Sequence, residues 1–336
     1  MQKIIQGWVH RPGKHCASTV LSDLAHFYGH GLSEAFCLGL GAGLGFFYLE
    51  GEALTPTRML MTRSQDLEGN FFRNLGIRFE WKTEQDPKQG WKAVKECIDR
   101  NIPVLLRADI FHLDHYQSKT HFPLHVILLW GYDDGKQSVF IADTGFEGLM
   151  EIPMESLSKA RYSRVPVYSG SGEFFPVVLP KKIKGLDAKA KKAIKLQAKQ
   201  LEANDGFQGM EEFSAYGAIR KVSERIFSWP EAKDASWCFR WAYQIIERRG
   251  TGGGAFRKLY ADFLKEAAKI SEEIAQFAPA SEMEMIGGQW SQLSMLLKEM
   301  SEKNPVAERD LKKVSAAFRE LAEKEESFFD RASKRL

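Results

Sequence analysis

An α+β domain followed by an all-helical one is the architecture this sequence predicts, on three observations. Apolar strand-like runs, PVLLRADI at 103 to 110, HVILLWGYD at 125 to 133 and SVFIADT at 138 to 144, are confined to the first half. After about residue 185 the spacing becomes that of amphipathic helices, near 187 to 203, 210 to 228, 231 to 249, 255 to 277, 281 to 301 and 305 to 332. All eight histidines (His10, His15, His26, His30, His112, His115, His121, His125) precede residue 126, so titratable chemistry near neutral pH is concentrated in the first half. Domains are expected at 1–175 and 186–336. The join lies in YSGSGEFFPVVLPKKIKGL (168 to 186), where Gly, Ser and Pro punctuate the chain.

The N-terminal stretch MQKIIQGWVHRPGKH has no apolar h-region and gives no sign of secretion. The next apolar stretch, AFCLGLGAGLGFFYL at 35 to 49, has fifteen residues between Glu34 and Glu50, short of the roughly 20 a membrane-spanning helix needs. It reads as core, and no membrane partner is expected. With 336 residues, 44% of them hydrophobic, the chain can bury a sizeable core. Its four cysteines are scattered without C-x-x-C spacing, which suggests neither a disulfide framework nor a cysteine zinc site and fits a reducing cytoplasm. Net charge is +3, which carries no mandate for nucleic acid. The basic run at 181 to 199, eight lysines against one acid, reads as a solvated helix or linker.

The first helix is expected at about 17 to 28: Val20, Leu21, Leu24, Phe27 and Tyr28 recur at helical spacing, and Gly29 suits a left-handed C-terminal cap. Cys16 then sits at the first turn. There the exposed N–H groups, the helix dipole, Lys14 and His15 all favour a thiolate, against the bland alternative of a small buried hydrophobe. A thiol nucleophile needs a base and a group that orients it. LHVILLWGYDDGKQSVFIADTG reads as two strands around a tight turn at Asp134 and Gly135. A hairpin symmetric about that turn puts His125 opposite Thr144 and diagonal to Asp143, against the alternatives of a satisfied core histidine and a turn aspartate.

Helix-borne Cys, then His, then Asp on the neighbouring strand resembles the papain-like cysteine peptidase superfamily. HCAST, LSEAFCLGLGAGLGFFY, FPLHVILLWGYDD and VFIADT together resemble the N-terminal domain of the butirosin-biosynthesis protein H family. EANDGFQGMEEF and ERRGTGGGAFRKLYADFLKEAA resemble the helical companion domain that follows it. The resemblance spans nearly the whole chain. It implies a papain-like fold and a Cys16, His125, Asp143 triad. The founding member is an acyltransferase that moves an aminoacyl group from the phosphopantetheine thioester of an acyl carrier protein to an amine of an aminoglycoside. The implied partners are therefore an acyl carrier protein and a small-molecule amine acceptor, with no bound cofactor. Where papain-like enzymes usually carry an oxyanion-hole glutamine, this chain has His10, with Gln6 further off, so the donor is His10, Gln6 or backbone N–H. A peptidase or amidase on the same triad, or a non-catalytic small-molecule binder, remain as competing readings.

GLGAGLG (39 to 45) alternates as G-x-G-x-G-x-G and lacks a leading strand, so it reads as close backbone packing beside the active site and not as a dinucleotide loop. His112, His115, His121 and His125, with Asp109 and Asp114, lack the i, i+4 spacing of helical zinc motifs, and Pro123 interrupts them, so no metal site is expected. Asp109 and Glu34 are candidates to line the substrate pocket. In TGGGAFRKLY, Gly252 and Gly253 with Arg257 read either as an anion cradle for a ligand carboxylate or phosphate, or as a flexible turn with Arg257 in a salt bridge. Trp229, Trp237, Trp241 and Trp290 read as bundle core.

Overall fold

The computed structural model describes residues 1–165, 168–203 and 215–336, and the chain is α+β. Strands are β1 (Gln2–Ile4), β2 (Leu44–Glu50), β3 (Arg58–Arg63), β4 (Val104–Ala108), β5 (His125–Asp133), β6 (Ser138–Ala142), β7 (Met150–Pro153), β8 (Arg164–Val165), β9 (Tyr168–Ser169) and β10 (Phe174–Pro176). Helices of the first half are α1 (Cys16–Phe27), α2 (Glu34–Leu40), α3 (Leu67–Asn74), α4 (Pro87–Asp99) and α5 (Met154–Arg161). Those of the second are α6 (Leu186–Glu202), α7 (Ala215–Arg225), α8 (Ala235–Glu247), α9 (Arg257–Ala267), α10 (Glu272–Phe277), α11 (Ala280–Ser301) and α12 (Glu308–Arg335).

Two compact units divide the chain. Residues 1–37 and 75–184 form the first, and residues 38–74 and 185–336 form the second. The join falls where the punctuation placed it, but the expected boundary at 175–186 omits an exchange: residues 38–74 pack with the helices. The physical reason lies in the glycine-rich stretch. A Cβ at Gly39 would fall 2.1 Å from the ring of Phe263 on α9, and one at Gly45 would lie 2.5 Å from the Arg63 carbonyl on β3. These glycines are close-packing positions, as expected, but the surfaces they meet belong to the second unit and not, as expected, to the unit that holds Cys16, His125 and Asp143.

The first unit is built on an antiparallel sheet in the order β10-β4-β5-β6-β7, with β1 pairing the far end of β5. β5 and β6 are apolar almost throughout and buried on nearly every residue, as strands covered on both faces must be. At their turn the Asp133 carboxylate accepts the N–H groups of Gly135 and Lys136. Leu128 pairs with Ala142 and Leu129 with Ile141, after which the register shifts before Gly131. The symmetric hairpin is thus displaced by about one residue toward the open end. α1 begins at Cys16, one residue before its expected start, and Gly29 follows its C-cap with φ of +81°. The sequence reading passed over α4, although Asp86 caps it by accepting from Lys88 and Gln89 and Pro87 occupies its first turn.

In the second unit the expected helix at 255 to 277 is two helices, because the Ser271 hydroxyl accepts the Ile274 N–H and starts α10. The start of the 210 to 228 segment, and most of EANDGFQGMEEF, lie outside the described residues. Trp229 and Trp290 are fully buried core, as expected, whereas Trp237 and Trp241 are only partly buried. Arg257 is fully buried too, and its guanidinium forms a bidentate pair with Glu325 on α12 at 2.7 Å on both arms. Its remaining nitrogen donates to the carbonyls of Gly45 and Ala255, and the Trp290 indole donates to Glu325 at 2.5 Å. Glu247 accepts the Gly254 N–H, and Gly253 donates to Thr251. The anion-cradle reading of Gly252, Gly253 and Arg257 is corrected at Arg257, whose anion is Glu325 of this same chain, while Gly253 is turned to Thr251 and the neighbouring Gly254 to Glu247. Glu325→Ala should lower the stability of the full chain by about 3–5 kcal/mol, because it strands a buried guanidinium. Urea unfolding followed by circular dichroism measures this, and an unshifted midpoint would remove the pair from the core's support.

Candidate active site

The open ends of β5 and β6 and the start of α1 converge in the first unit. His125 opens β5, Asp143 directly follows β6, and Cys16 is the first residue of α1, which packs along β5. At the far end of the helix Phe27 meets Trp130 of β5 edge-on, with ring centroids 5.0 Å apart. The helix start is therefore held at a fixed place on the sheet.

Two carboxylates fix the loop before Cys16. Glu34 accepts the backbone N–H groups of Lys14 and His15 and the hydroxyls of Ser18 and Thr19, at 2.8 to 3.2 Å. Asp23, inside α1, accepts the Arg11 N–H at 3.0 Å and the His10 ring at 2.6 Å. Gly13 donates to the Thr144 carbonyl at 2.8 Å, and a Cβ there would meet Thr19 Oγ1 at 2.1 Å, so the loop admits no side chain at that position. Glu34, expected to line the substrate pocket, is instead committed to the loop that carries the thiol.

Cys16 is buried, with His15 Nε2 3.8 Å from its sulfur. Burial alone would push the thiol up; the neighbouring His15 and His125 rings overcome it and hold the thiol well below the usual cysteine range. His15 also caps the helix, its Nδ1 accepting the Ser18 N–H. His125 Nε2 donates to Asp143 Oδ1 at 2.7 Å, which leaves Nδ1 for the thiol. Burial disfavours the His125 cation, but the Asp143 carboxylate and the Cys16 thiolate outweigh it and raise the ring to about 10.

Asp143 is the most heavily bonded group of the site. Besides His125 it accepts Tyr116 Oη at 3.0 Å, Thr144 Oγ1 at 3.0 Å and His115 Nε2 at 2.8 Å. Although burial opposes its charge, these imidazoles and hydrogen bonds keep its carboxyl well below the ordinary aspartate range. His115 Nδ1 is buried without a hydrogen-bond partner, so Asp143 is that ring's one hydrogen-bonded anchor among the described residues. Thr144 holds a positive φ of 36°, so the turn that delivers Asp143 stores backbone strain. His115, Tyr116 and Thr144 were not read from the sequence as partners of Asp143. The first two lie in one short 3-10 turn, Asp114–Tyr116, which carries no periodic signal.

The remaining expectations divide. His10 gives both ring nitrogens to acceptors, Asp23 and the Phe146 carbonyl; burial opposes its charge, but the Asp23 bond prevails and raises it. It is therefore a charged clamp on the loop and not a free oxyanion donor. Gln6 is exposed and bonds its own segment. The Cys16 and Ala17 amides, at the helix start, have no acceptor among the described residues. Asp109 is fully buried and accepts Phe111 N, Phe122 N, Ser163 Oγ and His121 Nδ1. Its neighbour Ala108 pairs with His125, so strand alternation turns Asp109 away from the face that carries His125. The expectation that it lines the pocket is corrected on that ground.

A depressed thiol pKa means the thiolate persists as pH falls. Iodoacetamide alkylation of Cys16 should therefore already be at its plateau at neutral pH and decline only in acid. His125→Ala should move its midpoint up toward about 8.5. Tyr116→Phe, which removes one donor from Asp143, should raise the midpoint by about one pH unit or less. An unmoved midpoint would show that this hydroxyl does not bear on the ion pair.

The model of the family described as Butirosin biosynthesis protein H, N-terminal, matches residues 15–144, from the residue before Cys16 to the residue after Asp143. That of Domain of unknown function (DUF4872) matches residues 155–332. No curated protein matches the chain. The chain belongs to the DUF4872 family, whose model covers more than half of it, and carries ahead of that domain a match to butirosin biosynthesis protein H, N-terminal.

Proposed function

We propose that this protein is a biosynthetic acyltransferase with a papain-like catalytic domain. In this reading it moves an acyl or aminoacyl group from a carrier-protein phosphopantetheine thioester, through Cys16, to an amine. The observation that carries this reading is a thiol at the first turn of α1 whose acidity is raised by His15 and by His125, the latter held by Asp143 through Nε2. The family match favours a role in biosynthesis, since the named protein belongs to butirosin biosynthesis.

The steps follow from the resting ion pair. Cys16 thiolate attacks the donor carbonyl, and the oxyanion that forms lies within the reach of the helix-start amides of Cys16 and Ala17. Collapse of the adduct breaks the donor C–S bond, and the departing pantetheine thiolate takes the proton of His125. The acyl group now rests on Cys16 as a thioester. An amine then attacks that carbonyl, the neutral His125 takes the amine's proton at Nδ1, and Cys16 leaves as thiolate, which restores the ion pair. Exchange between two thioesters is nearly isoenergetic and amide formation is downhill, so the transfer is thermodynamically complete without nucleotide hydrolysis. Asp143 keeps its charge throughout and holds His125 in the tautomer that faces sulfur.

Intact-protein mass spectrometry after mixing with acyl-pantetheine thioesters should show one acyl addition on the wild type and none on Cys16→Ala. His125→Ala should slow both loading and release to an amine. A wild type that no donor labels, while binding small amines tightly, would replace this reading with that of a binding protein. Rapid loss of the acyl group to water, unaffected by amine, would make the protein a hydrolase on the same triad.

A further inference from the structure

A second constellation lies in the segment between β4 and β5. Asp109, His112 and His121 each offer a ligand atom, and these atoms lie within 4.8 Å of one another. Their chain spacing gave no metal motif, and none was expected, because the usual signature assumes a helix. Here the three residues come from a strand end, a 3-10 turn and the loop entering β5.

The site is built around its carboxylate. Asp109 Oδ1 is held by the N–H groups of Phe111 and Phe122, at 3.1 and 2.9 Å. Oδ2 accepts Ser163 Oγ and His121 Nδ1, each at 2.6 Å. His121 stacks on Phe111 with ring centroids 4.1 Å apart, which fixes its plane, and its side chain is 42% exposed. His112 lies on the same aromatic ring edge-on. A buried, ionised carboxylate faced by two imidazoles has negative charge to neutralise and two nitrogen donors to offer. That is the ligand set of a three-coordinate protein site with a further position open to solvent.

We propose that Asp109, His112 and His121 bind a divalent transition-metal ion of borderline softness, zinc or a close relative. The ion replaces the proton between His121 Nδ1 and Asp109 Oδ2 and draws in His112, whose half-exposed position on a short turn leaves it room to move. Ser163 and the two backbone N–H groups serve as the outer shell that orients the carboxylate. The ligands His112 and His121 bracket residues 113 to 120, the stretch that delivers His115 and Tyr116 to Asp143. Metal binding therefore clamps the segment that supports the triad carboxylate. The site itself stands independently of the acyl-transfer reading.

The test uses untagged full-length protein carrying Cys16→Ser, so that the thiolate cannot bind metal. Titration with Co²⁺, followed by its d–d absorption, and calorimetry with Zn²⁺ should show one saturable site per chain. Affinity should fall by about 100-fold or more in His112→Ala/His121→Ala, with the metal-free circular dichroism unchanged. His112→Gln/His121→Gln keeps side-chain bulk and should behave alike. Zn²⁺ should slow amide hydrogen exchange across residues 113 to 120 in the parent and not in either double variant. Absence of saturable binding in the parent, or binding that survives both double variants, overturns the proposal.

Discussion

Everything at the candidate site depends on keeping one carboxylate charged where water does not reach it. Burying an ionised Asp143 is costly unless its lone pairs are used, and the fold brings two imidazoles and two hydroxyls to it. Only then does His125 retain its proton in a buried place, where with His15 it favours the Cys16 thiolate. One chain of cause thus runs from four hydrogen bonds on a turn after β6 to the ionisation of a thiol on a helix. The dipole and free amides of that helix add to the effect without originating it.

The other buried acids follow a related rule. Glu34 and Asp23 are spent on the loop that presents Cys16, Asp109 on the strand end and the loop beside it, and Glu325 and Glu247 on the glycine-rich turn and the arginine after it. Charged residues in conspicuous sequence contexts thus serve mainly to hold backbone and side chains of this same chain. Glu34, Asp23, Glu325 and Glu247 are scaffold elements in this sense, whereas Asp109 shares one oxygen with the His121 ring, the place the proposed metal ion would take.

This explains which parts of the molecule could be read in advance. Cys16, His125 and Asp143 were legible because helix spacing, strand alternation and the Asp134–Gly135 turn are local signals, and a one-residue error in hairpin register still leaves His125 and Asp143 at one end. The roles of Glu34, Arg257 and Gly253 were not legible, because each is decided by a partner distant in sequence. His115 and Tyr116 escaped notice for another reason: they sit in irregular turns, where neither periodicity nor capping says which way a side chain points. The α+β character and the helical second half were visible in the hydrophobic pattern. The transfer of residues 38–74 to the second unit was not, since an apolar run announces burial without saying in which core.

That transfer bears on how the chain is made. Residues 38–74 leave the ribosome early, yet the surfaces they complete, on α7, α8 and α9, are translated more than a hundred residues later. The β2–β3 hairpin, whose first strand reads LGFFYLE, must wait with its apolar face uncovered while the first unit is synthesised on either side of it. Nascent chains with exposed hydrophobic hairpins are customary clients of chaperones. Cutting the gene between the two family matches, within residues 145–154, also severs this hairpin from its core, so the halves recognised in sequence are not the halves that can be expressed apart.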